Sequence, residues 1–166
     1  IRICLVGSEM CIRDSLSIAA EAYQYVFVDC GAHIDIATLT ATTAADRILL
    51  VCTPDVVSVK NAWRRLQMLE AQQIEPDTIR LVLNQWEKGA EVSDKDIETN
   101  LKIPIAARLR KDDTCRKSVS LGQLVRDVNP RAPFHADIAA AASLITEGAD
   151  KVEPAQDRRA FGWLFR

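Results

Sequence analysis

The sequence predicts an α/β fold, a mostly parallel sheet flanked by helices. Short apolar runs recur along the chain: "YVFV" (25–28), "RILLVC" (47–52), "IRLVLN" (79–84) and "IPIAARL" (103–109). The first three are continuous rather than alternating and rich in Val, Ile and Leu, as strands covered on both faces are. Between the runs lie segments with apolar residues at helical spacing, so strand and helix alternate and a last helix closes the order.

The elements follow in turn. Residues 1–15, "IRICLVGSEMCIRDS", have too short an apolar stretch and no small-residue cleavage site for a signal peptide. They resemble a string derived from a sequencing adapter. On that resemblance residues 1–15 are non-native, the natural protein starts near Leu16, and the segment carries no functional argument. The run at 25–28 is the first expected strand and ends abruptly in Asp29. An Ala- and Thr-rich stretch over 35–45 is a short helix. After the strand at 47–52, Val59, Trp63, Leu66 and Met68 or Leu69 mark the apolar face of a helix over 58–72, with Lys60, Arg64 and Arg65 on the other side.

The strand at 79–84 comes next. Ser93 followed by Asp96 resembles a capping box that opens a helix running to about Asn100. After the strand at 103–109, a helix over 113–120 stops before Gly122. Pro130 and Pro133 then precede a helix with Phe134, Ile138, Ala141 and Ile145 on one face, ending near Gly148. The expected domain spans 16–149. Residues 150–166 form a polar tail with a short basic and aromatic terminus, "RRAFGWLFR".

Composition narrows the function classes. With 166 residues, 48% hydrophobic and 27% charged, the chain is long enough for one domain with its own core. A net charge of -2 gives no reason to expect a general nucleic-acid surface. No apolar run approaches the roughly 18 residues of a membrane span. The five cysteines form no C-x-x-C pair and read as thiols in a reducing compartment, not as a disulfide framework or a zinc site. His33 and His135 are far apart without partners for a metal set, and nothing matches the serine-hydrolase elbow G-x-S-x-G.

Candidate ligand residues stand at strand ends, where open parallel sheets bind their ligands. Asp29 is placed to hold Mg²⁺ beside nucleotide phosphates, or to cap its loop or the following helix through backbone N–H groups. Asn84 and Gln85 end another strand; an amide offers both the donor and the acceptor that an adenine edge requires, and Asn is also a common turn residue. Asp55 has the same ambiguity. "RLRKDD" (108–113) is a nucleotide contact or a solvated loop. A phosphate-binding loop of the form G-x-x-x-x-G-K-(S/T) is absent from the 166 residues.

The segments "YQYVFVDCGAHIDIATLTATTAADRILLVCTPDVVSVKNAWRRLQML", "IRLVLNQW", "IPIAARLRKDD" and "GQLVRDVNPRAPFHADIAAAA", in that order, resemble the C-terminal half of the MinD/ParA superfamily of P-loop ATPases over roughly residues 20–147. The CpaE/TadZ branch, which localises and assembles tight-adherence pili, looks most similar. The resemblance implies a truncated P-loop NTPase fold that uses ATP and Mg²⁺. It puts the magnesium-linked acid on Asp29, the adenine-contacting Asn on Asn84, and the loop lining the base pocket on Arg110, Lys111 and Asp112. Pro54, Asp55, Ser58, Asn61 and Ala62 match its "PDxxSxxNA" element.

The same resemblance implies an ATP-promoted homodimer and pilus or secretion-machinery partners. It implies a cytoplasmic location, peripheral at the inner membrane or cell pole. Partition or cell-division positioning by a ParA/MinD-type ATPase is the alternative, and a nucleotide-independent scaffold is another. The sequence departs from the family in its switch: "DCGAH" stands where D-x-P-P-G or D-x-P-A-G is common. That puts coupled hydrolysis in doubt. The lysine-bearing phosphate loop is expected upstream of residue 20, so the 166 residues are expected neither to bind ATP tightly nor to hydrolyse it. The terminal "RRAFGWLFR" reads as a short amphipathic membrane anchor or a partner-docking segment.

Overall fold

The structure, a computed structural model, describes residues 9–31 and 35–146. The expected tail over 150–166, His33 and Cys4 lie outside the described residues. The chain divides into two compact units, with the described residues up to 45 in the first and 46–146 in the second.

In the first unit α1 (Glu9–Ala22) runs without a break across position 15/16. It buries Ile12 and Ala19, two turns apart on one stripe. Among the described residues the run at 25–28 forms no strand, only a single bridge at Phe27, and Tyr25 and Phe27 are exposed. Apolar, β-branched composition suits a strand only where a neighbouring backbone offers a ladder, so the run alone does not make one. The second helix, α2 (Ile36–Ala44), starts at the N-cap Asp35, whose carboxylate accepts the Thr38 N–H at 2.8 Å. Its threonines, poor helix formers, satisfy their hydroxyls on carbonyls one turn back: Thr40 on Ile36 at 2.8 Å and Thr42 on Thr38 at 2.9 Å.

The second unit is built on three parallel strands in the order β1 (Ile48–Cys52), β2 (Ile79–Trp86), β3 (Ile105–Arg110). The central strand is buried on both faces, with Ile79, Leu81, Val82 and Leu83 all inside. Leu81 and Leu83 face one layer, made by α3 (Val56–Ala71) through Val59 and Ala62 and by α4 (Asp94–Leu101) through Ile97 and Leu101. Val82 faces the other, where Ala107 of β3 and Ala141 of α7 (Phe134–Thr146) close around it. Helices therefore cover the sheet from both sides.

β1 differs from the expectation. Its burial alternates, and Leu49 and Val51 are 37% and 54% exposed. It is an edge strand among the described residues, and the alternation shows that only one of its faces is packed in this unit. Two helix faces also turn from the expected ones. On α3 the packed positions are Val59, Ala62, Leu66 and Leu69, and Trp63 is exposed. On α7 Ala141 and Leu144 pack against Val82 and Ala107, and Ile138 is exposed.

Local signals set the helix ends. Ser93 caps α4 by accepting the Asp96 N–H at 3.2 Å, while its hydroxyl donates to the Asp96 carboxylate at 2.6 Å. Gly122, at φ +62°, terminates α5 (Asp113–Leu121) in the left-handed conformation that suits glycine. A one-turn α6 (Val125–Val128) follows and leads through Pro133 into α7.

Candidate functional site

All three parallel strands of the second unit end at one edge, and three turns meet there. The turn after β1 is Thr53–Asp55. Asp55 is the N-cap of α3: its carboxylate accepts the Ser58 N–H at 2.8 Å and the Thr53 hydroxyl, and the Ser58 hydroxyl in return accepts the Thr53 N–H at 2.9 Å. The Thr53 hydroxyl, then the Ser58 N–H, hold the Asp55 carboxyl below its ordinary range. Burial, with the Asp55 charge adding to it, pushes the Cys52 thiol up to about 11, so this thiol stays protonated. Of the "PDxxSxxNA" residues, Asp55 and Ser58 thus shape the turn and Ala62 packs in the core.

The turn at the end of β2 carries the backbone irregularity of this edge. The β2–β3 register shifts between Leu83 and Trp86, and Gln85 sits at φ +52°, a left-handed conformation that a side chain with a Cβ rarely adopts. The Asn84 side-chain oxygen accepts the Gln85 N–H at 2.9 Å. The ladder then resumes, with Trp86 opposite Arg110 and the Lys111 N–H donating to the Trp86 carbonyl at 3.0 Å.

Beyond β3, Arg110, Lys111 and Asp112 have three different structural tasks. Arg110 makes a forked pair with Asp137 of α7: Nε donates to Oδ2 at 2.9 Å and the guanidinium NH2 to Oδ1 at 2.8 Å, while the Arg110 backbone N–H also donates to Asp137 at 2.9 Å. The guanidinium holds the Asp137 carboxyl down, and the carboxylate in turn raises Arg110. Lys111 Nζ lies 2.8 Å from Glu87, both half-exposed. Asp112 caps α5, accepting the Thr114 N–H at 2.8 Å, and the Thr114 hydroxyl and N–H lower its pKa.

A third ion pair fastens the same edge. The Asp94 carboxylate takes the Trp86 indole N–H at 3.0 Å and Arg108 Nε at 2.7 Å. Burial pulls that carboxyl up, but the Arg108 and Trp86 donors outweigh it and leave it lowered.

Between the turns lies an open cleft of about 200 Å³, walled by Thr53 and Asp55 from β1, Gln85 and Glu87 from β2, and Lys111 from β3. Pro54, Ala90 and Glu91 complete the wall. Three carboxylates face one ammonium, and that ammonium is on Glu87. Such a net-negative lining disfavours phosphates.

The structure thus brings the turn after Asn84 and Lys111 to one cleft, with Asp112 next in the chain at the start of α5. Asp29 belongs to the first unit, is exposed, and accepts the Gly31 N–H at 3.3 Å. That is the loop-capping role weighed against magnesium. Among the described residues no group of three His, Cys, Asp or Glu side chains is arranged to hold a metal, so a magnesium ion on Asp29 would need ligands from elsewhere. No described helix is long and apolar enough to cross a membrane. Two features had no warning in the sequence. Nothing marks Gln85 for a left-handed backbone, and the Arg110–Asp137 pair joins positions 27 residues apart.

No family model matches the chain. The putative septum site-determining protein MinD of Mesostigma viride is 29% identical over 112 residues, covering 64% of this chain and 38% of that protein. A ParA family ATPase of Chlorobium tepidum superposes with a TM-score of 0.75 at 27% identity, covering 82% of this chain and 57% of the other. MinD in a MinC:MinD cell division complex of Aquifex aeolicus gives a TM-score of 0.73 at 21% identity, over 84% of this chain and 60% of the other, a likeness of fold. The chain spans about two-fifths of the curated MinD relative and under two-thirds of each solved neighbour. Its parallel three-stranded sheet flanked by helices matches the ParA/MinD-like structures.

Proposed function

We propose that this chain, MinD/ParA-like in sequence and fold, is the base-side part of a nucleotide-dependent positioning ATPase of the septum-site or partition type. The observation that carries the reading is the carboxyl edge of the sheet, where the Asn84–Gln85 turn and Lys111 meet at one cleft and Asp112 follows directly. The lining of that cleft disfavours phosphates, which supports the base rather than the phosphates as its occupant. Asp29, in the first unit, is proposed on its own as the magnesium-linked acid. The phosphate loop and the remaining ligands come from outside the 166 residues.

The positioning reading is preferred to pilus assembly, because the relatives reported are septum-site and ParA proteins. ATP with Mg²⁺ as cofactor, a nucleotide-promoted homodimer, a protein partner and peripheral membrane contact at the cytoplasmic face complete the proposal. Residues of this chain would bind and orient the base, and bound Mg²⁺ would supply charge neutralisation at the phosphates.

Sedimentation of a chain extended upstream to include a phosphate loop tests it. The expected result is monomer without nucleotide and dimer with Mg·ATP, weakened by Asn84→Ala. A self-association state indifferent to nucleotide would overturn the ATPase reading in favour of a scaffold.

A further inference from the structure

We infer that the turn joining α5 to α6 is a surface through which this chain meets an anionic lipid bilayer. Val119, Leu121 and Leu124 enter the interface, and the cations around them face the headgroups. The inference deepens the peripheral membrane contact proposed above, rests on it, and names the residues that make it. Its first support is exposure. Val119 is 81% exposed, Leu121 61% and Leu124 62%: three large apolar side chains within six residues, none of them in a core cluster. Apolar residues exposed singly are ordinary, whereas a group of them marks a contact surface.

The turn holds the group together. The Gly122 N–H donates to the Val119 carbonyl at 3.2 Å and the Gln123 N–H to the Ser118 carbonyl at 3.0 Å, with Gly122 in the left-handed conformation. The inward side of α5 is at Ser118, which is buried, and not at Val119.

Charge names the occupant. Residues 114–133 carry four exposed cations, Arg116, Lys117, Arg126 and Arg131, against Asp127 alone, in a chain whose net charge is -2. Arg116 lies 3.0 Å from Asp113 and Arg126 3.6 Å from Asp127, in pairs open to solvent. Pairs of that kind are weak, so both guanidiniums stay available to headgroups. Basic side chains around bulky apolar ones form an interfacial pattern, with stems along the apolar layer and charged heads among anionic lipids. A nucleic-acid backbone would engage the cations and leave the three apolar side chains in water, which favours lipid.

The test is co-sedimentation of the 166-residue chain with phosphatidylcholine vesicles and with phosphatidylcholine–phosphatidylserine vesicles. Wild type is expected on the anionic vesicles only, and to leave them as salt rises. The triple variant Val119→Ser, Leu121→Ser, Leu124→Ser binds them at least about 10-fold more weakly. The double variant Lys117→Gln, Arg126→Gln loses roughly 10- to 30-fold. All five positions are exposed, so both variants keep the wild-type urea midpoint, which separates lost binding from lost fold.

Wild-type binding that neither variant weakens would put the membrane contact elsewhere and overturn this assignment alone. A wild-type chain that ignores anionic vesicles overturns the membrane contact and the assignment together. Binding to duplex DNA in place of vesicles, lost in the charge variant and kept in the serine variant, would overturn it in favour of a nucleic-acid surface.

Discussion

Leu83 is a fully buried anchor of the edge that holds the cleft. It is 0% exposed on the central strand, packed with Leu81, Cys52, Val59, Ala62 and Ile97, and lies immediately before the Asn84–Gln85 turn. Leu83→Ala removes three carbon groups, worth about 0.8 kcal/mol each in transfer, or about 2.4 kcal/mol together. The cavity left behind adds about 24 cal/mol per Å³, so about 50 Å³ that fails to collapse contributes about 1.2 kcal/mol more. The expected loss is therefore about 3.5 kcal/mol, within the 2–5 kcal/mol range of about such substitutions. In urea, with a slope of about 2 kcal/mol per molar, the unfolding midpoint falls by about 1.7 M at unchanged slope. Leu124→Ala, at a position 62% exposed, is the control and moves the midpoint by less than about 0.3 M. A loss under about 1 kcal/mol at Leu83, or equal losses at both positions, would refute the packing of β2 between α3, α4 and α7.

Further outcomes follow from other parts of the chain. Gly122→Ala costs about 1 kcal/mol in the same urea assay: a Cβ there meets nothing within 4 Å, so the penalty is the backbone's alone at φ +62°; an unchanged midpoint would contradict the left-handed cap of α5. Cys52, buried and raised to about 11, resists alkylation at about pH 8 in the native chain and reacts on unfolding, read by peptide mass spectrometry; native labelling at the rate of an exposed thiol would contradict its burial. Asp55→Asn keeps an N-cap acceptor and removes the charge. Because the folded-state pKa of Asp55 is depressed, its contribution is present in full above the ordinary value of 3.8 and is lost as pH falls through the lower folded value. The stability gap between wild type and Asp55→Asn therefore closes in acid below that value, and a gap independent of pH would show that the Thr53 and Ser58 contacts do not favour the charged form.

How far the sequence could be read depends on which interactions are local. Ser93 and Asp96 are three residues apart, and Gly122 follows its helix directly, so α4 and α5 could be bounded from the letters alone. The Val and Leu run at 79–84 is continuous because β2 is central and packed on both sides, which made its identity plain. The run at 25–28 is also apolar and among the described residues makes only one bridge, because a ladder depends on a neighbour and not on the run. Spacing predicts a core position for Trp63, yet smaller Ala62 takes the buried position beside Val59, and Trp63 is exposed. Spacing fixes a stripe only to within one residue on a helix.

The candidate site shows the same division. Strand-end positions for Asn84, Lys111 and Asp112 follow from order and period, so their gathering at one edge was legible. Their partners were not. Arg110 reads as a ligand contact until Asp137, remote in sequence, takes its guanidinium. Lys111, in the loop that the resemblance puts at the base pocket, has its ammonium on Glu87. The left-handed Gln85 is set by the mismatch between β2 and β3, a tertiary property with no signature in the residues themselves.

The central claim is that this edge is the base side of a nucleotide site whose phosphate side the 166 residues do not supply. An amide-resolved NMR titration of the chain with Mg·ATP measures both halves at once. The account predicts shifts confined to Thr53–Asp55, Asn84–Glu87 and Lys111–Asp112, growing through the millimolar range without saturating at micromolar ATP. Saturation at micromolar ATP, or shifts elsewhere while that edge stays silent, would contradict it.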